Sequence, residues 1–158
     1  MLKRNLILGL LSLAVVGAMS VEVSAQSQKA SDRFGRWRMD SDAPPPSVNI
    51  MTYEAYGEGG MKITVASTNS AGVDNEWGYV TMFDGSFRPV TGQENAETSV
   101  EFVGERSTRI ANKRNGRVTQ VIINTLSEDG NTIDNEYVRL DAEGKITAVT
   151  HAVYRRIR

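Results

Sequence analysis

One histidine, scattered carboxylates and no cysteine limit the chemistry open to this chain. His151 is the sole histidine, so a metal centre built on several imidazoles is closed to it. The alternation in Val149-Thr150-His151-Ala152-Val153 sets His151 on the face opposite Thr150, Ala152 and Tyr154. A general base needs a proton within reach and a group to orient it. No such partner is identifiable, and a half-buried strand histidine is the expected role. Without cysteine, thiol catalysis and thiolate metal sites are excluded. Glu54, Glu58, Asp74, Glu76, Glu101, Asp134 and Glu136 can pair across strands, but spacing selects no two of them. The sequence contains no nucleophile elbow, phosphate loop, HExxH or dinucleotide fingerprint. No catalytic residue and no metal ligand is assigned, and no cofactor is expected.

Two other groupings carry charge. Val73-Asp74-Asn75-Glu76-Trp77 is echoed by Ile133-Asp134-Asn135-Glu136-Tyr137. Paired acidic rims suit Ca²⁺, which prefers oxygen ligands. These segments lack the interleaved carboxylates and central glycine of a calcium loop, so turn chemistry leading into a strand is the favoured reading. Arg106, Arg109, Lys113, Arg114 and Arg117 spread over a predicted hairpin. They suit an anionic ligand or lipid headgroups, but surface charge of both signs is ordinary, and a solvated strand face is expected.

The elements that position these groups are strands. Alternation with a period of two recurs throughout, and no segment carries a helical stripe. Nine runs read this way, from Phe34–Met39 through Val48–Tyr56 and Trp77–Phe83 to Ile133–Leu140 and Ile146–Tyr154. Turns such as Asp84-Gly85 and Glu128-Asp129-Gly130 separate them. Asn115-Gly116 between strand-like residues predicts a two-residue hairpin. The stretch from Arg88 to Glu97 reads as a longer excursion, and Pro44-Pro45-Pro46 as a stiff spacer between the first two strands. Short sequential turns predict an all-β, antiparallel, up-and-down β-barrel of about 8–9 strands. Such a barrel is wide enough either to be filled by side chains or to hold one small ligand.

The N-terminus predicts export. Lys3 and Arg4 precede an apolar run from Leu6 to Met19, and small residues stand at Val23 and Ala25. This is the pattern of a signal peptide over residues 1–25, with cleavage after Ala25. The apolar run is shorter than the ~20 residues a membrane span needs, so no stable span is expected after cleavage. Residues 26–33 then form a flexible lead and 34–158 one domain. Losing Lys3, Arg4 and Glu22 takes the formal net charge from −1 to −2. A slightly acidic chain argues against nucleic acid, whose phosphates call for clustered Lys and Arg. The expected location is periplasmic or secreted.

Gly35-Arg36-Trp37 resembles the G-x-W start of the lipocalins and the related fatty-acid-binding proteins. With Phe83-Asp84-Gly85-Ser86-Phe87-Arg88-Pro89-Val90-Thr91-Gly92 and the closing Ala152-Val153-Tyr154, the chain resembles short exported bacterial proteins described as lipocalin-like. The resemblance implies a calycin-type barrel with Gly35 and Trp37 at its closed end. It also implies an arginine from late in the chain, among Arg155, Arg156 and Arg158, stacked on the indole. Intracellular fatty-acid-binding proteins place an arginine two residues before a final-strand tyrosine, and Tyr154 puts Ala152 there. The charge-assisted carboxylate clamp is missing.

Three functions fit. The first is a barrel binding a small apolar or amphipathic ligand, lined by Met51, Tyr53, Trp77, Tyr79, Phe83, Phe102, Ile122, Tyr137 and Tyr154. The second is a non-catalytic module with a filled barrel whose rim contacts an envelope protein. The third is an enzyme acting inside the barrel, which requires titratable groups converging in a pocket.

Overall fold

Period-two alternation of apolar and polar residues makes one face of each strand bury and the other face water. In the computed structural model, which describes residues 25–157, that alternation bends one sheet round on itself. The predicted signal segment lies outside the described residues apart from Ala25. A short helix, α1, occupies residues 25–31. Ten strands follow: β1 Gly35–Met39, β2 Val48–Tyr56, β3 Gly60–Thr68, β4 Asp74–Thr81, β5 Arg88–Pro89, β6 Ala96–Phe102, β7 Ser107–Arg114, β8 Arg117–Leu126, β9 Thr132–Leu140 and β10 Ile146–Ile157.

The strand order is β4-β3-β2-β1-β10-β9-β8-β7-β6-β5, antiparallel at every pairing. Every strand but β4 therefore neighbours the next in sequence, and the seam between β1 and β10 joins the first strand to the last. The remaining gap, between β4 and β5, is bridged by reciprocal backbone hydrogen bonds of Gly78 and Thr91 at 3.0 and 2.8 Å. The architecture is thus an all-β, antiparallel, nearly closed barrel. Its tenth strand is β5, two residues within the stretch expected to be an excursion. Arg88 and Pro89 pair with Thr98 and Glu97, and a strand so short leaves no period to read. The predicted hairpin at Asn115-Gly116 joins β7 to β8. Its φ values of 51° and 77° are the positive pair that a tight hairpin turn demands.

The expected flexible lead is replaced by structure. Ala30 is fully buried and Arg33 is 1% exposed. Gln26 Nε2 donates to the Met82 carbonyl at 2.8 Å, and Lys29 lies 5.8 Å over the Phe102 ring. A polar, seven-residue helix has no stripe long enough to show in sequence; its anchorage is tertiary.

The closed end is organised round Trp37, which has no exposed surface. In register it lies between Met51 of β2 and Arg156 of β10. The Arg156 guanidinium stacks on the indole with its central carbon 4.1 Å from the ring centroid. Its nitrogens also donate to the carbonyls of Gly130 (2.8 Å), Phe34 (2.6 Å) and Asp32 (2.9 Å). Of the candidate arginines, Arg156 takes the stacking position, while Arg155 points outward and pairs with Asp40. Gly35 makes room for this: its φ is +133°, and a Cβ there would stand 2.9 Å from Arg156 Nη1. Replacing Trp37 by alanine should cost about 3–5 kcal/mol, the range for large aromatics removed from cores. Urea unfolding followed by far-ultraviolet circular dichroism checks this, and a loss under about 1 kcal/mol would deny Trp37 its anchoring role.

Candidate functional site

Inward parity from β2 to β4 brings Met51, Tyr53, Ile63, Val65, Trp77 and Tyr79 onto one wall of the lumen. Trp77 and Tyr79 stack with ring centroids 6.2 Å apart. From β6 to β9 the same parity brings in Thr98, Asn112, Gln120, Asn124 and Asn135, with Ile110, Ile122 and Tyr137 among them. The two walls enclose a cavity of about 520 Å³. A second hollow, about 740 Å³, lies under the linker of residues 40–47 near Pro45 and shares Asn49 with the first.

Of the residues expected to contact a ligand, Met51, Tyr53, Trp77, Tyr79, Ile122, Tyr137 and Tyr154 border this cavity. Phe83 and Phe102 do not. Strand β4 ends at Thr81, and Phe83 turns through a φ of 55° with its amide held by Thr81 Oγ1 at 2.9 Å. Its ring stacks on Phe102 at 4.4 Å, and the pair forms a plug at the closed end beneath α1. The reading of Trp77–Phe83 as one continuous strand concealed that turn.

The polar wall is a set of ordered hydrogen bonds. Thr98 Oγ1 donates to Asn112 Oδ1 (2.8 Å), and Asn112 Nδ2 donates to Gln120 Oε1 (3.0 Å). Deeper in, Asn124 Nδ2 donates to Asn135 Oδ1 (2.7 Å), and Asn135 Nδ2 to the Tyr137 hydroxyl (3.1 Å). Asn124 receives a hydrogen bond from Arg33 Nη1, while Arg33 Nη2 donates to the Arg106 carbonyl. Among the described residues no buried side-chain nitrogen or oxygen lacks a partner. Asparagine and threonine pairs across strands carry no hydrophobic signature, which is why sequence reading passed over them. Arg33 was hidden too, assigned to the flexible lead.

At the open end Lys113, Arg114 and Arg139 join the lining with Glu97. Lys113 sits 3.5 Å over the Phe87 ring, and Arg114 donates to the Glu94 carbonyl and Gln93 Oε1. The basic hairpin is thus divided. Lys113 and Arg114 border the mouth, and Arg109 pairs with Glu101 on the outside. His151 also lies outside, paired with Asp134 at 2.5 Å, both side chains more than half exposed. Asp74 accepts from Thr68 Oγ1 at 2.7 Å. The two acidic echoes therefore serve separate cross-strand contacts.

Burial dominates the electrostatics of the lumen. It pushes the Tyr53 phenol up to about 12, with the nearby Arg33 guanidinium pulling the other way. Burial likewise raises Tyr79 and Tyr154 well above the ordinary value. It holds Arg33 below its usual value. These three tyrosines present neutral hydroxyls at any physiological pH. Because their folded values lie above the unfolded ~10, the stability tied to their neutral form is complete below that pH. It falls as pH climbs towards the folded values. A phenolate absorbance titration should show Tyr53, Tyr79 and Tyr154 ionising late in the native protein and near pH ~10 in urea. Native ionisation of all three near that value would contradict their burial.

No protein-family model and no curated protein matches this sequence. Solved structures match its shape. Wild-type fluorescent protein UnaG superposes with a TM-score of 0.53 at 14% identity, covering 81% of this chain and 99% of its own. A Schistosoma mansoni fatty acid binding protein in complex with arachidonic acid gives 0.55 at 12% identity, covering 82% of this chain and 99% of its own. At these identities the likeness is one of fold. The fold is a calycin-type barrel, lipocalin-like, of the fatty-acid-binding-protein shape.

Proposed function

We propose that this protein binds one small amphipathic molecule in the lumen of its barrel. The cavity carries the reading: about 520 Å³ lies between an apolar, aromatic wall and a hydrogen-bonding one. That volume falls within the ~300–1,000 Å³ typical of small-molecule sites, which combine apolar lining with a few placed polar groups. Neighbours of the same fold include the Schistosoma mansoni fatty acid binding protein in complex with arachidonic acid. Apolar atoms of a bound molecule would lie along Met51, Val65 and Trp77, where each Å² removed from water is worth ~25 cal/mol. The carrier acts outside the cytoplasm in this reading, supported by the basic tip and apolar run of its first 19 residues.

The fluorescent probe phenylnaphthylamine, apolar and without oxygen, should be taken up by the wild type and brighten. Ile122→Trp, which pushes an indole into the lumen, should weaken uptake at least tenfold, about 1.4 kcal/mol, while circular dichroism still reports a β-barrel. A native mass spectrum of protein from its own host should show a bound mass below about 1 kDa, in keeping with a drug-sized cavity. No probe uptake together with no bound mass would remove the proposal.

A further inference from the structure

Arg33 is a cation 1% exposed whose contacts are neutral oxygens. Among the described residues it forms no ion pair. A charge in that position is costly unless dipoles are turned to face it. The dipoles are supplied by Asn124 and Asn135, which are opposed in register on β8 and β9.

The direction of this relay is fixed by its first member. Arginine has donors and no acceptor, so Asn124 must offer Arg33 its oxygen. Its amide nitrogen is then left to donate, and does so to Asn135 Oδ1. Asn135 in turn has only its nitrogen to give to the Tyr137 oxygen. Each side chain accepts from the side of Arg33 and donates away from it, so the positive ends of the dipoles point along the chain towards the lumen. Hydrogen bonds aligned in this way polarise one another in a low-dielectric interior. The last oxygen already accepts a bond, so the Tyr137 O–H is a donor at the cavity surface, with the Tyr154 hydroxyl beside it donating on to Asn49 Oδ1 at 3.4 Å.

We infer that Arg33, acting through Asn124 and Asn135, makes the Tyr137 hydroxyl a polarised donor subsite for an oxygen acceptor on the head of the molecule in the lumen. The acceptor is an oxyanion or a neutral carbonyl; both present lone pairs to a phenolic proton. The inference rests on the reading of the lumen as a binding cavity and adds the head group's chemistry. Arg33 is a positioning residue in it, since it does not itself line the cavity. The amphiphile lies with its head on the β8–β9 wall and its apolar part on the β2–β4 wall.

Three fluorescent probes test this: phenylnaphthylamine, with no oxygen; anilinonaphthalene sulfonate, an oxyanion; and Prodan, a neutral ketone. The quantity read is the ratio of each acceptor probe's affinity to that of phenylnaphthylamine. The wild type should favour at least one acceptor probe about tenfold, the scale of one hydrogen bond from a polarised donor. Preference for the sulfonate identifies an anionic head, and preference for the ketone a neutral one. Tyr137→Phe should bring the ratio near one. Arg33→Met should lower it too, and should change it no further in the Tyr137→Phe background, as expected of groups acting in series. If Arg33→Met does not fold, Asn135→Ala breaks the relay midway and should lower the ratio the same way. A ratio that survives Tyr137→Phe overturns the inference, as does an Arg33→Met effect of equal size with and without the hydroxyl. Uptake of phenylnaphthylamine with a wild-type ratio near one overturns this inference alone. Uptake of no probe overturns the binding cavity with it.

Discussion

A sheet that winds through ten strands in sequence order closes only if its first long strand meets its last, and one side chain holds that seam. Arg156 faces inward from β10, covers the Trp37 indole of β1 and donates to carbonyls of Asp32, Phe34 and Gly130. Three chain segments thereby converge on one guanidinium: the turn after α1, the start of β1 and the β8–β9 turn. A planar cation suits the task, since it can stack by its face and hydrogen-bond by its edge at once. The arrangement leaves no room for a side chain at position 35, so Gly35 and Trp37 form one device with Arg156. The parity of the barrel follows from it. With Trp37 inward, its register partner Met51 is inward, and Val65 and Trp77 follow across β3 and β4.

That parity separates two kinds of wall. On β2–β4 the inward positions hold aromatic and aliphatic residues, whose burial stabilises the barrel in the usual way. On β6–β9 many of the same positions hold Thr, Asn and Gln. A buried amide costs free energy unless its donors and acceptors are met, and here they meet one another across neighbouring strands. Thr98 with Asn112, Asn112 with Gln120 and Asn124 with Asn135 are each cross-strand pairs on one face. The polar wall is therefore tolerated by the fold as well as available to a ligand. It also fixes strand register, because a slip of one residue would leave every amide without its partner.

The barrel was legible because its signals are local. Alternation, glycine turns and Asn115-Gly116 each act over a few residues, and the G-x-W pattern marked the strand that anchors the closed end. The interior was legible only where its residues are large and apolar, as at Met51, Tyr53, Trp77 and Tyr79. Phe83 and Phe102 misled because hydrophobicity tells burial from exposure but not a lumen from a plug. Phe83 is buried and Phe102 half-buried, and the two rings stack on each other at one end of the barrel. Asn124, Asn135 and Arg33 were invisible for the opposite reason. Polar residues in a strand or before it read as surface, and only a partner far away in sequence shows otherwise. Arg33 and Asn124 are 91 residues apart.

The same division explains why the barrel is hollow rather than filled. At the closed end the inward positions carry Trp37, Phe83, Phe102, Leu126 and Ile133, large side chains that interlock beneath α1. Interiors packed in this way leave few voids. Higher in the barrel the β6–β9 wall turns to Ala96, Thr98 and Asn112, all shorter than the aromatics opposite them on β2–β4. Their polar ends are held by neighbours on their own wall, Thr98 by Asn112 and Asn112 by Gln120. The space between is the consequence. Filling it would take longer apolar residues on β6–β9, which would abolish the amide pairs. The hydrogen-bonded wall and the empty volume are thus one property of the sequence, and a molecule that fits the lumen must answer to both walls at once.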